Sequence, residues 1–376
     1  MKILFIVPSY KPAYIYGGTI VVVARLAEQL AREGHEMHVY TTTANGKDEL
    51  DVVPGKEVLV DGVKVTYFKR VTGDHTHISP SLWKNLFIYV RKFDVVHIHS
   101  WWNPLVIGAA WICRSRGVEP IFSPHGMLSS YIMETNNAGK KKLIHDVIGK
   151  GLLKSSKLHV TADTEWEESV KIFPEWKGNV IPNLVQLSEK VHLRKQNDVF
   201  TIGFLSRIDP KKGLDILIKA LSKVDFDYKL QIVGDGEENY VNELKTLSVD
   251  LGSEQKLEWL GWKNGEDKFE FLAGIDLFAL TSHNENFAVV VIEALSVGTP
   301  VMISDKVGLY KYVKERDMGW IVDLNIENIT QTLNSVFIER TKIDKIKLEA
   351  PAKIKEEYND SALAKEYIKL YQTMHV

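Results

Sequence analysis

Short apolar runs alternate with amphipathic stretches along this chain, and the series occurs twice. In the first half, residues 3–8, 37–42, 63–68, 95–100, 121–124 and 158–162 read as strands. The clearest helix among them covers 19–32 and is closed by Gly34. A second series runs through 200–206, 230–233, 257–260, 277–281, 301–304 and 320–322. These runs are brief and apolar along most of their length, as in parallel strands covered on both faces. Two doubly wound α/β domains follow, divided where the chain turns polar at 186–198. In such sheets ligands gather at the carboxyl ends of the strands, so the loops there are where chemistry is sought.

A length of 376 residues suits two cores better than one. The net charge of −2 gives no reason to expect nucleic acid as a partner. A single cysteine, Cys113, excludes an intramolecular disulfide and a cysteine metal cluster. The N-terminal apolar run is too short for a signal-peptide core, and no run reaches the roughly 20 apolar residues of a spanning helix. A cytoplasmic location is expected, which leaves contact with the inner face of the plasma membrane open.

The densest chemistry lies at 283–301, HNENFAVVVIEALSVGTPV. Glu285 falls in a loop, and Glu293 falls in a short helix expected to start near Phe287. That helix start offers backbone N–H groups and partial positive charge to an anion such as a diphosphate. A carboxylate two turns on can accept protons from two neighbouring hydroxyls. The β-branched run 289–292 is equally at home in a strand, and a plain connecting helix with solvated acids is the alternative.

The segment resembles the Glu–seven residues–Glu motif of retaining GT-B glycosyltransferases, glycosyltransferase family 4. The match extends to Asn286, Phe287, Ile292, Ala294, Leu295 and the Gly298–Val301 breaker. The resemblance implies an N-terminal acceptor domain (1–185), a nucleotide-sugar domain (199–360) and a terminal helix (about 361–376) packed back on the first. It also implies a site in the cleft between the two domains.

Ser206–Gly213 puts Arg207 and Lys212 on a strand-to-helix loop, where two cations can neutralise a leaving diphosphate. The resemblance assigns them that role. It assigns Glu293 to ribose hydroxyls and Glu285 to the sugar, with Asn286, Phe287 and Ala288 beside the diphosphate. Gly17 and Gly18, which let a backbone approach closely, would touch donor phosphate. His125, in the phrase Ser123–Leu128, would lie near the anomeric carbon. Gly234, and Gly261 with Trp262 and Lys263, resemble loops that read the nucleotide. His99, Trp101 and Trp102 are acceptor-side candidates. One departure from the family is Leu184, where glycine usually follows Pro-Asn.

His97 and His99 share a strand face but have no third metal ligand. Asp225-Phe226-Asp227 imitates a metal-binding DXD in the wrong context. Lysine-rich 140–157 suits either an anionic membrane or an ordinary packed helix. The expected activity is transfer of a hexose from a nucleotide-diphosphate sugar, UDP favoured over GDP, to a glycan or lipid-linked acceptor of bacterial polysaccharide. Configuration would be retained, with neither metal nor cofactor. The alternatives are an epimerase or phosphorylase on the same fold, or a non-catalytic sugar-binding protein of a polysaccharide assembly complex. The sequence sets no oligomeric state.

Overall fold

The computed structural model describes residues 1–134, 148–192 and 197–375. The chain divides into two compact units, Met1–Leu184 with Tyr358–Val376, and Val185–Glu357.

The first unit is built on β1 (Lys2–Ile6), β2 (Glu36–Thr42), β5 (Glu57–Val60), β6 (Val63–Phe68), β7 (Val95–His99), β8 (Ile121–Ser123), β9 (Lys157–Val160) and β10 (Gly178–Val180). A separate hairpin joins β3 (Ala44–Asn45) and β4 (Asp48–Glu49). The main sheet has the order β10-β9-β8-β7-β1-β2-β6-β5, and each pairing is parallel except β5 on β6. The chain builds outward from β1 to β6 and then returns to β7 on the other side of β1. The carboxyl ends of β1 and β7 therefore flank a topological switch point, the place where open α/β sheets bind ligands.

Helix Gly18–Arg32 buries Ile20, Val23, Ala24, Ala27 and Leu30 at helical spacing, and Gly34 beyond its end has φ +86°. The last helix, Asp360–Gln372, belongs to this unit. It buries Leu363, Ala364, Tyr367, Leu370 and Tyr371, and Arg25 holds Asp360 through two nitrogens at 3.2 and 2.6 Å.

The second unit has a six-stranded sheet of β11 (Phe200–Leu205), β12 (Tyr228–Val233), β13 (Leu257–Trp259), β14 (Leu277–Leu280), β15 (Val301–Ser304) and β16 (Gly319–Val322). Its order is β13-β12-β11-β14-β15-β16, parallel throughout. The switch point lies between β11 and β14. Both units are therefore doubly wound parallel-sheet domains, the GT-B architecture.

Several local expectations change. β5 was not foreseen; it returns through Asp61-Gly62, both with positive φ, the two-residue turn that matches strand twist. The helix expected near Phe287 starts at Val289, because Ala288 sits in the left-handed region at φ +61° and acts as its N-cap. The described residues at the two ends of the polar stretch 186–198 are tied to the second unit. Ser188 Oγ donates to Glu266 Oε2 at 2.8 Å, and Asn197 Nδ2 donates to Gly274 O at 2.9 Å, both within the second unit. Of lysine-rich 140–157, residues 140–147 lie outside the described residues. Leu152 and Leu153 beyond them are buried in the first unit's core, as a packed helix requires. No helix among the described residues is long and apolar enough to cross a membrane.

Candidate active site

The second unit's switch point gathers the loops after β11 and β14. Asp209 caps the first loop by accepting from the Lys211 N–H at 2.9 Å, and Gly213 closes it at φ +66°. A Cβ on Gly213 would stand 2.0 Å from the Thr281 carbonyl oxygen. Only glycine lets these loops come so close. The two are stitched together, since Thr281 Oγ1 donates to Gly213 O at 2.8 Å and His283 N donates to Lys211 O at 2.8 Å.

On this frame Lys212 and Glu285 form an ion pair. Glu285 Oε1 also accepts from Ser282 Oγ at 3.3 Å, and its backbone bridges to Val307. Burial depresses the Lys211 ammonium pKa, and the charges of Glu285, Lys212, Asp209 and Arg207 all reach it. Arg207 itself is exposed. Phe287 is buried, and Asn286 and Ala288 lead directly into helix Val289–Ser296. Its first N–H groups lie beyond the ladder of intrahelical bonds. Glu293 is only 5 % exposed, and its Oε1 accepts from Lys268 Nζ at 2.6 Å. Lys268, on helix Gly265–Gly274, carries no motif signal, because its partner lies on another helix.

Gly234 follows β12 at φ +150°, where a Cβ would meet the Ser206 carbonyl oxygen at 1.8 Å. Its N–H donates to Gly261 O at 2.9 Å, and Ile208 N donates to Asp235 O at 2.8 Å. The Gly234 loop is thereby fastened to the Arg207 loop. Gly234→Ala should destabilise the second unit by roughly 3 kcal/mol through backbone strain and clash. Urea unfolding checks this. Gly261, Trp262 and Lys263 lead toward the Lys268 helix, and Trp262 is 54 % exposed.

The first unit's candidates lie at its own switch point and along the neighbouring strands. Gly17, φ +83°, is the N-cap of the helix begun by Gly18. His125 has φ +51° just past β8, with Gly126 at φ +77°. Glu165, 3 % exposed, takes the Gly126 N–H at 2.6 Å on one oxygen. Its other oxygen accepts from Thr161 N at 2.8 Å and Thr161 Oγ1 at 3.0 Å. This carboxylate pins the histidine turn, and neither its position nor its residue type disclosed that beforehand.

The acceptor-side trio divides. Trp101 is fully buried against Phe122, with ring centroids 5.0 Å apart. It is core and gives an acceptor no surface, so that assignment is withdrawn. Trp102 is partly buried and donates Nε1–H to Met127 O at 2.6 Å. His99 is 2 % exposed and bonds His125 through its ring, so an acceptor does not reach it directly. His99, His125, His159, Asn183 and Tyr367 line a small pocket with Val22, Val23 and Leu26 of the Gly18–Arg32 helix.

Behind it lies a chain of buried polar groups whose protons can be placed. His159 Nε2 is 3.0 Å from Ile181 O, which can only accept. Nδ1 of His159 then accepts from Ser123 Oγ at 2.6 Å, and Ser123 in turn accepts from His97 Nε2 at 2.6 Å. The far nitrogen of His97 accepts from the Tyr371 hydroxyl at 2.9 Å. Each ring is neutral. Burial, reinforced by neighbouring histidines, drives His97 and His99 well below the usual value. Burial also takes His125 down to about 3 and His159 down to about 4.

Comparison with known proteins agrees with this architecture. The family model described as Glycosyltransferase Family 4 matches residues 16–189. The model described as Glycosyl transferases group 1 matches 186–356. The chain is 28 % identical to an uncharacterized glycosyltransferase of Methanocaldococcus jannaschii, covering 99 % of this chain and 98 % of that one. It is 25 % identical to a D-inositol 3-phosphate glycosyltransferase of Saccharomonospora viridis, over 81 % of this chain and 77 % of the relative. Among solved structures, Anabaena HepE in complex with UDP superposes with TM-score 0.76 at 18 % identity, over 99 % of this chain and 100 % of that one. Sucrose-phosphate synthase from Thermosynechococcus elongatus gives 0.75 at 17 %, over 100 % and 99 %. At such identities these two show the fold alone. With both family models abutting along the chain, a GT-B architecture and Glu285 and Glu293 set on the loop and helix their motif requires, this protein is a glycosyltransferase of the family 4, group 1 type.

Proposed function

We propose that the protein transfers a hexose from a UDP-sugar to a glycan or lipid-linked acceptor with retention of configuration and without a metal. The observation that carries this reading is the Lys212–Glu285 pair at the second unit's switch point, beside the start of helix Val289–Ser296. Arg207, Lys212 and the first amides of that helix take the diphosphate, supported by Gly17 and Gly18. Glu285 turns from Lys212 toward sugar hydroxyls as the diphosphate claims the ammonium. Glu293, held by Lys268, accepts from the ribose hydroxyls. His125 is the first unit's group for the anomeric centre. As the bond to the anomeric carbon breaks, the cations stabilise the growing phosphate charge. The acceptor attacks from the same face, and the departing phosphate takes its proton.

The UDP in the Anabaena structure and the inositol-phosphate glycosyltransferase among the relatives support a nucleotide donor and a polar acceptor. The test supplies a panel of UDP- and GDP-sugars with and without candidate acceptors, with and without chelator. The expected result is nucleotide diphosphate release that needs acceptor and ignores chelator, with a product whose anomeric proton coupling matches the donor's. Release without any acceptor would point to an epimerase, and inverted product would refute the retaining mechanism.

Glu293→Ala should weaken binding of the free nucleotide diphosphate about 10- to 100-fold, the cost of losing charge-assisted hydrogen bonds. Titration calorimetry measures this directly. Unchanged affinity would remove Glu293 from the ribose site.

A further inference from the structure

We infer that His99 is a positioning residue that fixes which nitrogen of His125 carries its proton. The inference rests on His125 serving the transfer reaction. His99 Nδ1 and His125 Nε2 are 3.1 Å apart, and the rings stack with centroids 5.3 Å apart and planes 20° apart. The backbone of the pair is also held. His99 ends β7, in register with Ser123 of β8, and Glu165 grips the amide after His125. The backbone that carries each ring is therefore fixed.

Two tautomer pairs satisfy this contact, and the far side of His99 chooses between them. Its Nε2 is buried and has no hydrogen-bond partner among the described residues. Were Nε2 to hold the proton, a donor would be left unmet in the interior. With the proton on Nδ1, what is left unmet is a lone pair, and unmet acceptors are the commoner of the two in folded interiors, where orphaned N–H groups are rare. His99 Nδ1–H therefore donates, His125 Nε2 accepts, and the proton of His125 stays on Nδ1. A base or charge stabiliser works only in the right tautomer, so a partner that sets the tautomer acts on turnover more than on substrate capture.

The experiment uses the full-length protein labelled with 15N-histidine, the His125 signals being identified by their loss in His125→Gln. In the wild type the His125 resonances should show a protonated Nδ1 and a bare Nε2. In His99→Phe, which keeps the ring volume and removes the donor, the resonances should move toward a mixture of the two tautomers. His99→Asn places an amide N–H where Nδ1–H stood and should restore the wild-type pattern. In the transfer assay, His99→Phe should lower kcat about 10- to 100-fold and change the donor KM by less than about threefold. His99→Asn should recover most of the loss. A wild-type spectrum with the proton on Nε2 of His125 overturns the inference whatever the activity. So does a His99→Phe protein with unchanged kcat and unchanged spectrum. If no donor is turned over at all, the function proposed above fails, while the spectrum still decides the tautomer. If His99→Phe does not fold, the wild-type and His99→Asn spectra decide it.

Discussion

Lys212→Ala should lower the transfer rate by about two to three orders of magnitude, the usual cost of losing one preorganised group that stabilises charge in the transition state. Two effects add. The leaving diphosphate loses a fixed ammonium on a loop that Asp209 and Gly213 hold rigid. Glu285, paired with Lys212 in this structure, would also confront the diphosphate with its charge uncompensated. The double variant Lys212→Ala/Glu285→Gln separates the two. If repulsion by Glu285 matters, the double variant binds nucleotide diphosphate better than Lys212→Ala while remaining slow. Lys212→Arg keeps the charge but changes its shape, and an intermediate rate is expected. Steady-state kinetics with a saturating donor give the answer, and a Lys212→Ala enzyme near wild-type turnover sinks the assignment.

Acid should unfold the protein well before its carboxylates titrate. His97, His99, His125 and His159 are held neutral by burial, with His159 near 4 and His125 near 3. In the unfolded chain each returns to about 6.5. Below that value the unfolded state takes up protons that the native state refuses, so stability falls as the pH falls. It reaches its plateau above about 6.5. One fully refused proton costs about 1.4 kcal/mol per pH unit, so four histidines amount to a few kcal/mol per unit between pH 6.5 and 5. Urea unfolding across that window measures the slope, where Asp and Glu contribute little. His159→Gln should flatten the slope by up to one proton. A flat wild-type profile would mean that these rings ionise in the native state and that the proton placements above are wrong.

The alternating architecture could be read in advance because parallel strands covered on both faces leave mostly apolar runs, and β1, β11, β14 and β15 are such runs. β5 broke the pattern. It is a four-residue edge strand with Leu59 72 % exposed, too short to stand out beside the buried runs. Its Asp61-Gly62 turn was the readable sign. β10 is three residues long and partly exposed, too short to register. Glu285 and Glu293 were visible because one motif holds both. Lys268 and Glu165 were not, and His99 was singled out for the acceptor side rather than for its contact with His125, since each acts through a residue on another element and spacing carries no information about such contacts. Trp101 and Trp102 looked alike as neighbours past a strand end. The fold turns one into the core beside Phe122 and leaves the other partly open.

The Asp360–Gln372 helix packs on the unit that the first residues began: Tyr371 meets His97, and Tyr367 OH donates to Pro182 O at 3.3 Å. A ribosome that has just made Glu357 has supplied every residue of the second unit, yet the lobe started first still lacks its closing piece. Synthesis therefore finishes the earlier lobe last, and premature termination near residue 357 uncovers the buried histidine array while leaving the Lys212–Glu285 loops whole.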